Sequence, residues 1–356
     1  MLTTIISFII VIGVLIFIHE FGHFIVAKYY GVRVEEFALG WGPKLFSRKK
    51  GETVYSLRAI PIGGFCNMTG EFIPDDDMDE EERKVYEEAK KNGNCFHQKT
   101  LWQRFAIIFT GAFMNFLLAV FVFIFIFMVY GFPMEASQET IIGDVNPMQP
   151  AAEAGLKPGD EITAINNIEV NDWQDMAGII HDSDGQIEVD FIRENEQKTV
   201  RVTPEFDEYT ENYVIGIYPV LIPEKVGVIN SIKLGFIQTG QYIYMIIFGF
   251  IQMITGEVAA EVGGPVMIAS IVGDAARTGL DRLLQWMAVI SINLGIINLL
   301  PFPALDGGRI LFLGIELIKG KPVNPAKETL VHFIGFVLLI LLMVFIVYQD
   351  IVRSIL

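Results

Sequence analysis

Long apolar segments constrain the fold of this chain more than any other feature. Four of them reach the ~20 residues that a helix needs to cross the hydrocarbon core of a bilayer. They lie at about residues 2–27, 105–134, 283–305 and 330–349. A fifth segment, 232–254, contains Lys233, Gln238 and Gln241 together with three glycines. Such a segment lies on the membrane surface or packs against other helices, and we predict the interfacial position.

Composition supports a membrane protein that also has some soluble mass. Hydrophobic residues make up 52% of the 356 residues, and the mean hydropathy of +0.45 is too high for an ordinary soluble protein. The net charge of −16 argues against a nucleic-acid partner. The only two cysteines, Cys66 and Cys95, lack C-x-x-C spacing and predict neither a disulfide framework nor a cysteine zinc site. The expected partners are the lipid bilayer and proteins within it.

Basic residues in the short loops predict how the chain crosses the membrane. No lysine or arginine precedes the first apolar segment, whereas six lie between residues 28 and 50 and four between 309 and 327. We therefore expect residues 28–104 and 306–329 in the cytoplasm. Both termini, and the long segment between the second and third spans, are then expected outside the cytoplasm.

Two regions outside the spans have strand-like patterns. Residues 34–46 and 53–60 flank Arg48-Lys49-Lys50-Gly51, which predicts a β-hairpin with a glycine turn. Gly63 and Gly64 follow, where glycine permits either a plain turn or a close approach of another backbone. From about residue 140 to 205, short alternating segments and one short helix predict a small inserted α+β domain.

The sequence His19-Glu20-Phe21-Gly22-His23 reads H-E-x-x-H and ends an uncharged run over residues 5–18. On a helix, His19 and His23 share one face, so both imidazoles can reach one metal ion. Glu20 can then reach a water bound to that ion, as in catalytic zinc sites with three protein ligands and one water. The alternative is a chance match, in which these polar side chains only end a helix at the membrane edge.

A second motif supplies a candidate third ligand. The third span ends with Asn298-Leu-Leu-Pro301-Phe-Pro303-Ala-Leu-Asp306-Gly-Gly, and two prolines within three residues break a helix. Asp306 then lies at the cytoplasmic end of this span, at the depth expected for His19 and His23. Taken alone, it would be an ordinary residue before a double-glycine turn. Beside H-E-x-x-H, two histidines and one carboxylate favour a zinc site with an open position.

In these motifs the chain resembles the site-2 proteases, a family of intramembrane zinc metalloproteases. It is most similar to the bacterial members that have a single PDZ domain and cut anti-sigma factors and signal-peptide remnants. The motifs follow the family order over nearly the whole chain. They are H-E-x-x-H, Pro61-Ile-Gly-Gly-Phe65-x-x-x-x-Gly70-Glu71, Gly111-x-x-x-Asn115, Gly159-Asp160 and Asn298-x-x-Pro301-x-Pro303-x-Leu305-Asp306-Gly307-Gly308. Ala112 departs from the family, which often has proline there.

The resemblance implies a multi-pass α-helical membrane protein with about four transmembrane helices. A membrane-associated β-hairpin and an inserted extracytoplasmic PDZ-like α+β domain complete the expected fold. The expected boundaries are residues 1–134 for the first membrane part, 135–210 for the PDZ-like domain, 211–280 for a linker with an interfacial helix, and 281–356 for the second membrane part.

The resemblance also implies the roles of individual residues. His19, His23 and Asp306 would bind Zn²⁺, and Glu20 would act as general base and later as general acid. The remaining expected site residues contact substrate: Asn298, Asn293, Asn115, Gly63 and Gly64. The hairpin at 34–60 would pair with an unwound substrate strand, because a helical substrate hides its amides. His97, His181 and His332 are not assigned to the metal.

The expected function is hydrolysis of peptide bonds within transmembrane segments of single-pass membrane proteins, near the cytoplasmic side. One alternative is a membrane metal transporter or sensor that uses the same His and Asp cluster, since buried ionisable residues also mark ion paths. Another alternative is a scaffold protein, in which the PDZ-like domain carries the function and the membrane part only anchors it. That domain could bind a carboxyl terminus or only exclude bulky proteins, and the sequence leaves both open.

Overall fold

The computed structural model describes residues 2–71, 80–147, 149–207, 212–257 and 263–355. The helices are α1 (Leu2–Tyr29), α2 (Glu80–Lys91), α3 (Leu101–Val129), α4 (Pro150–Glu153), α5 (Trp173–His181), α6 (Val228–Thr255), α7 (Pro265–Thr278), α8 (Leu280–Leu299), α9 (Asp306–Lys319) and α10 (Pro325–Ile355). The strands are β1 (Val34–Lys50), β2 (Thr53–Met68), β3 (Phe132–Ala136), β4 (Ile142–Val145), β5 (Glu161–Ile165), β6 (Ile168–Glu169), β7 (Ile187–Arg193), β8 (Glu196–Val202), β9 (Glu205–Asp207), β10 (Asn212–Val214), β11 (Ile217–Pro219) and β12 (Leu221–Glu224).

Five helices of the described chain are long and apolar enough to cross a membrane: α1, α3, α6, α8 and residues 327–350 of α10. The chain is therefore a membrane protein with several candidate spans. Two predicted spans end earlier than expected. Helix α3 ends at Val129 rather than near residue 134, before Gly131, whose φ is 92°. Helix α8 ends at Leu299 rather than at 305, since Pro301 cannot donate the hydrogen bond that a continuing helix needs.

Helix α6 corresponds to the segment that the sequence predicted to be interfacial. Its buried residues are small or polar: Ser231, Gly235 and Thr239. A Cβ at Gly235 would lie 2.5 Å from Ile124 Cγ1, so α6 approaches α3 closely there. Small residues let helix backbones approach each other within membranes. The face of α6 that approaches α3 therefore consists of small residues and hydroxyl groups, whereas Lys233 and Gln241 are exposed. The interfacial position of this segment stays a prediction.

The chain divides into two compact units, Met1–Phe127 with Gly227–Leu356 and Met128–Val226. In the first unit α1 contributes to two apolar clusters. Val11 and Leu15 pack with Val272 of α7. Near the other end of α1, Ala27 belongs to a cluster that includes Ile107 of α3 and residues of β1, β2 and α9. The α1 helix, which carries H-E-x-x-H, therefore packs against α7 in one part and against α3, β1, β2 and α9 in another.

The predicted hairpin is longer than the sequence indicated. Strands β1 and β2 are joined at Gly51, whose φ is 65°, and β2 continues past Gly63 and Gly64 to Met68. Leu39 of β1 lies opposite both Leu57 and Gly64, so this part of β1 has neighbours on two sides. Within the described residues no further strand pairs with 64–68, which therefore forms a sheet edge.

The second unit is an α+β domain inserted between α3 and α6. Its main sheet has four strands in the order β6-β5-β7-β8, and three ladders pair β4 with β11, β9 with β10, and β3 with β12. Ile162, Ile165 and Phe191 from the sheet and Met176 from α5 form its buried core. The unit extends from residue 128 to 226, so strands occupy 212–224, which the sequence had placed in a linker.

One buried carboxylate joins two parts of this domain. Asp160 is 1% exposed, and its two oxygens accept hydrogen bonds from Arg193 Nε and Nη2, each at 2.7 Å. Asp160 Oδ2 also accepts from the backbone N–H of Lys157 at 2.8 Å. This carboxylate therefore ties the turn before β5 to the end of β7.

We expect Asp160→Ala to destabilise the inserted domain by about 2 kcal/mol, because hydrogen bonds to charged groups typically contribute this much. Limited proteolysis of the full chain in detergent should then cut within residues 128–226 faster than in the wild type. Arg201→Ala is the matched control, since the Arg201–Glu188 pair is largely exposed and such pairs contribute little. Equal proteolysis of the two variants would contradict the role given to Asp160.

Candidate metal centre

Helix α1 places the two histidines of H-E-x-x-H side by side. The helix continues unbroken to Tyr29, so His19 and His23 lie one turn apart on the same face. Their Nε2 atoms are 3.2 Å apart, and both side chains are buried. Two imidazoles therefore present nitrogen atoms to one point.

Asp306 reaches the same point from a distant part of the chain. It is the first residue of α9, after an irregular segment that begins where α8 ends. Its Oδ2 atom lies 3.2 Å from His19 Nε2 and 3.4 Å from His23 Nε2. Among the described residues these three side chains form the only cluster of at least three potential metal ligands of this kind.

The spacing of the three atoms fits tetrahedral zinc. Ligands at ~2.0–2.1 Å from a tetrahedral zinc ion are about 3.3 Å from one another, which matches the 3.2–3.4 Å triangle of His19, His23 and Asp306. Asp306 Oδ2 is buried and has no hydrogen-bond donor. A buried oxygen without a donor, facing two imidazoles, is the arrangement expected of a metal ligand set. Cys66 and Cys95 are buried free thiols outside this cluster.

The other nitrogen of each imidazole faces a polar group of α3. His23 Nδ1 is 2.9 Å from the carbonyl oxygen of Ile107, which accepts a hydrogen bond from Nδ1–H, so that Nε2 carries no proton and is free for a metal. His19 Nδ1 lies 3.3 Å from Nδ2 of Asn115, and Oδ1 of the same amide is buried without a partner. Rotating the amide by 180° would give Oδ1 a partner, since it would then accept a hydrogen bond from Nδ1–H of His19, as Ile107 does from His23.

Asn115 was expected to contact substrate, and in the structure its side chain lies against a metal-ligand candidate. Its side chain is fully buried behind His19, in contact with the imidazole. Asn115 is therefore placed to orient His19, and the sequence motif G-x-x-x-N located it without showing which way it faces.

Gly111 is a residue of the site whose importance the sequence did not indicate beyond its place in that motif. A Cβ at this position would lie 2.3 Å from both Cε1 and Nε2 of His23, and 3.0 Å from Cε1 of His19. Distances below 3.0 Å force the neighbouring group to move. The absence of a side chain at Gly111 lets the imidazoles occupy the space between α1 and α3.

The segment between α8 and α9 is held in an unusual conformation. Ala304 has a φ of 77°, which side chains other than glycine rarely adopt. Its N–H donates to Nδ1 of His332 on α10 at 3.0 Å. A Cβ at Gly307 would lie 2.1 Å from the carbonyl oxygen of Leu300, so the start of α9 packs directly on the end of α8. His332 thus supports the segment that carries Asp306.

Glu20 and the two strand glycines lie near one another. A Cβ at Gly64 would be 3.4 Å from Glu20 Cγ and 3.0 Å from Ile16 Cγ2, so this part of β2 contacts α1 beside the H-E-x-x-H motif. Gly63 has a φ of 102° and lies beneath the indole of Trp41. Because Gly64 has no side chain, the free edge of β2 can lie next to Glu20, the candidate general base. Gly63 instead leaves room for the indole of Trp41 on β1.

The two asparagines of α8 are both half-buried. Asn298 lies in the last turn of the helix, and Asn293 is five residues earlier. Five helical positions rotate a side chain by about 140°. The two amides therefore point in different directions from α8, and one substrate position cannot engage both in the same way.

Comparisons with known proteins place the chain among peptidases. A model of the family described as Peptidase family M50 matches residues 7–342. The zinc metalloprotease RasP of Geobacillus kaustophilus is 36% identical, with 98% of each chain covered. The regulator of sigma-W protease RasP of Bacillus subtilis is 34% identical, again with 98% of each chain covered. A putative zinc metalloprotease of Clostridium perfringens is 38% identical over 96% of each chain.

Solved structures resemble a smaller part of the chain. The PDZ domain of an SdrC-like protein from Listeria monocytogenes is similar at 20% identity and a TM-score of 0.22, covering 24% of this chain and 93% of that one. The match to the family model extends over both membrane parts and includes the H-E-x-x-H helix and Asp306. The chain therefore belongs to peptidase family M50.

Proposed function

We propose that this protein is an intramembrane zinc metalloprotease that hydrolyses peptide bonds within transmembrane segments of single-pass membrane proteins. The observation that carries the proposal is the triangle of His19, His23 and Asp306, with nitrogen and oxygen atoms 3.2–3.4 Å apart and Glu20 adjacent on α1. The relatives named zinc metalloproteases support the choice of metal. Two imidazoles and one carboxylate are also a ligand set that leaves a fourth zinc position open.

In the proposed mechanism each residue has a distinct task. His19, His23 and Asp306 hold the zinc, which when bound polarises the substrate carbonyl and lowers the pKa of water to ~7. Glu20 takes a proton from the attacking water and delivers it to the leaving amide nitrogen. Asn115 and the Ile107 carbonyl keep the imidazoles in the orientation and tautomer that ligation requires. Asn298 is the residue of α8 proposed to orient the substrate backbone.

The free edge of β2 is the proposed binding surface for the substrate strand. Of the hairpin segments, residues 64–68 lie beside α1, whereas β1 from Gly42 to Lys50 is exposed throughout. An extended peptide that pairs with 64–68 would expose its amide bonds, which a helix conceals. The proposed pairing surface therefore lies beyond the hairpin at 34–60 that the sequence indicated, in the continuation of β2 over residues 64–68.

Sidedness and substrate class complete the proposal. The distribution of lysine and arginine supports a metal centre near the cytoplasmic side and an extracytoplasmic inserted domain. That domain is proposed to be PDZ-like and to control access of substrates. The name of the Bacillus subtilis relative, a regulator of sigma-W protease, supports membrane-bound regulators such as anti-sigma factors as one substrate class.

Metal removal tests the proposed function. Treating the purified protein with a chelator should reduce cleavage of a single-span substrate at least about ten-fold, and Zn²⁺ should restore it. Mg²⁺ should not, because it prefers six oxygen ligands in octahedral geometry. Unchanged cleavage by protein whose zinc has been removed would contradict the proposal. Uptake of Zn²⁺ by proteoliposomes without any cleavage would favour the transporter.

A further inference from the structure

We propose that the ion pair between Glu71 and Arg309 is a positioning device that selects which substrate peptide bond lies at the metal centre. The inference rests on the proposed function and concerns residues that do not themselves bind the metal. Glu71 follows the free edge of β2, and Arg309 lies on the helix that begins with Asp306. The pair thus links the strand proposed to bind substrate to the helix that holds a metal ligand.

On the strand side, Glu71 closes a tight turn. Gly70 has a φ of 76°, and the N–H of Glu71 donates to the Met68 carbonyl at 3.1 Å. The Glu71 carboxylate turns back, so that Oε2 is 3.4 Å from the Met68 N–H while Oε1 accepts from Arg309. Glu71 is 9% exposed at its side chain. The end of the strand is therefore fixed to the carboxylate that contacts α9.

On the helix side, Arg309 lies three residues after Asp306. Residues three apart on a helix are neighbours on one face, so the guanidinium and the Asp306 carboxylate project from the same side of α9. A second ion pair, Arg104–Glu316 at 2.5 Å, ties the far part of α9 to the start of α3. Of these two pairs only Glu71–Arg309 joins α9 to the turn that follows β2.

A substrate strand needs such a link because backbone pairing alone does not set its register. Main-chain hydrogen bonds are nearly the same when a strand slides by two residues, and side-chain faces are then preserved as well. The scissile bond is defined only if the edge of β2 has a set position relative to the metal ligands. Glu71–Arg309 is a short connection between the two, spanning 238 residues of sequence.

The surroundings of the pair allow it to be changed without disrupting the fold. Glu71 and Arg309 line a cavity of about 370 Å³, which the Arg104–Glu316 pair also lines. A substituted side chain therefore has space, and glutamine at position 71 retains nearly the same volume and an acceptor oxygen. The charge is removed while the packing is kept.

The test maps the cleaved bonds by mass spectrometry of both products from a single-span substrate, using the full chain in proteoliposomes. The wild type should cut mainly one bond. We expect Glu71→Gln to lower kcat/KM at that bond about ten-fold and to add cuts two residues away, with zinc content unchanged. Arg309→Lys keeps the charge but loses the planar fork. It should broaden the cuts in the same way.

Glu316→Gln is the matched control, since it removes the charge from the other ion pair of α9 and should leave the cleaved bond unchanged. The positioning role is wrong if Arg309→Lys cuts only the wild-type bond, with the kcat/KM of the wild type. The same result for Glu71→Gln, where that protein accumulates, would also contradict it. A general loss of rate at an unchanged bond would equally overturn it, as a merely structural effect. Absence of cleavage by the wild type would instead refute the proposed function.

Discussion

Replacing Glu20 with glutamine is expected to reduce cleavage of a single-span substrate by about 10²- to 10⁴-fold, the range that general acid–base catalysis contributes. Glutamine has nearly the shape of glutamate, but it cannot accept a proton from the attacking water at neutral pH. Glu20 is not part of the three-residue ligand cluster. The variant should therefore keep its zinc, which metal analysis of the purified protein would measure beside the rate.

Glu52→Gln is a suitable control for this experiment, because Glu52 is on the hairpin and pairs with Lys28 away from the ligands. It should cleave at the wild-type rate. Equal rates for Glu20→Gln and wild type would rule out the proposed general base. Loss of zinc from Glu20→Gln would show that Glu20 holds the metal rather than transferring protons.

We expect Gly111→Ala to lose zinc and to cleave at least about 100-fold more slowly, although it adds only one methyl group. The added Cβ would lie 2.3 Å from two atoms of the His23 imidazole, so the ring must leave its position. Perturbing the groups that orient metal ligands typically costs 10- to 100-fold in metal affinity or activity, and here the ligand itself is displaced. Zinc content and cleavage rate together check the prediction.

Gly13→Ala is the matched control for Gly111→Ala. It makes the same substitution in α1, the helix of both histidines, at a position where a Cβ meets nothing within 4 Å. Alanine favours a helix interior over glycine by up to ~1 kcal/mol, so neither variant should weaken its own helix. A Gly111→Ala protein with full zinc content would show that the space between α1 and α3 is not limiting.

Much of the site follows from local sequence. Four-residue spacing puts His19 and His23 on one face of any helix, and the prolines at 301 and 303 end α8 wherever it packs. Apolar length likewise predicted the regions of α1, α3, α8 and α10. These features depend on helix period, backbone donors and the thickness of a bilayer, all of which can be evaluated from neighbouring residues.

Features that depend on which face of a helix or strand is covered by another element were harder to predict. The composition of the 232–254 segment predicts the membrane interface, but it does not indicate that Gly235 and Thr239 are buried or that a Cβ at Gly235 would touch α3. The pattern of one helix does not reveal which of its faces another helix covers. For the same reason the G-x-x-x-N motif did not indicate that the Asn115 side chain is buried against His19.

The sequence by itself determined the candidate ligands and base, the breaks in the apolar helices, and the insertion of an α+β domain. Only the tertiary structure decided that a free strand edge continues to Met68 beside Glu20, and that Glu71 meets Arg309. Contacts such as Asn115 with His19 and Arg309 with Glu71 join residues 96 and 238 positions apart. They arise from how whole elements pack, and no local period or propensity specifies that packing.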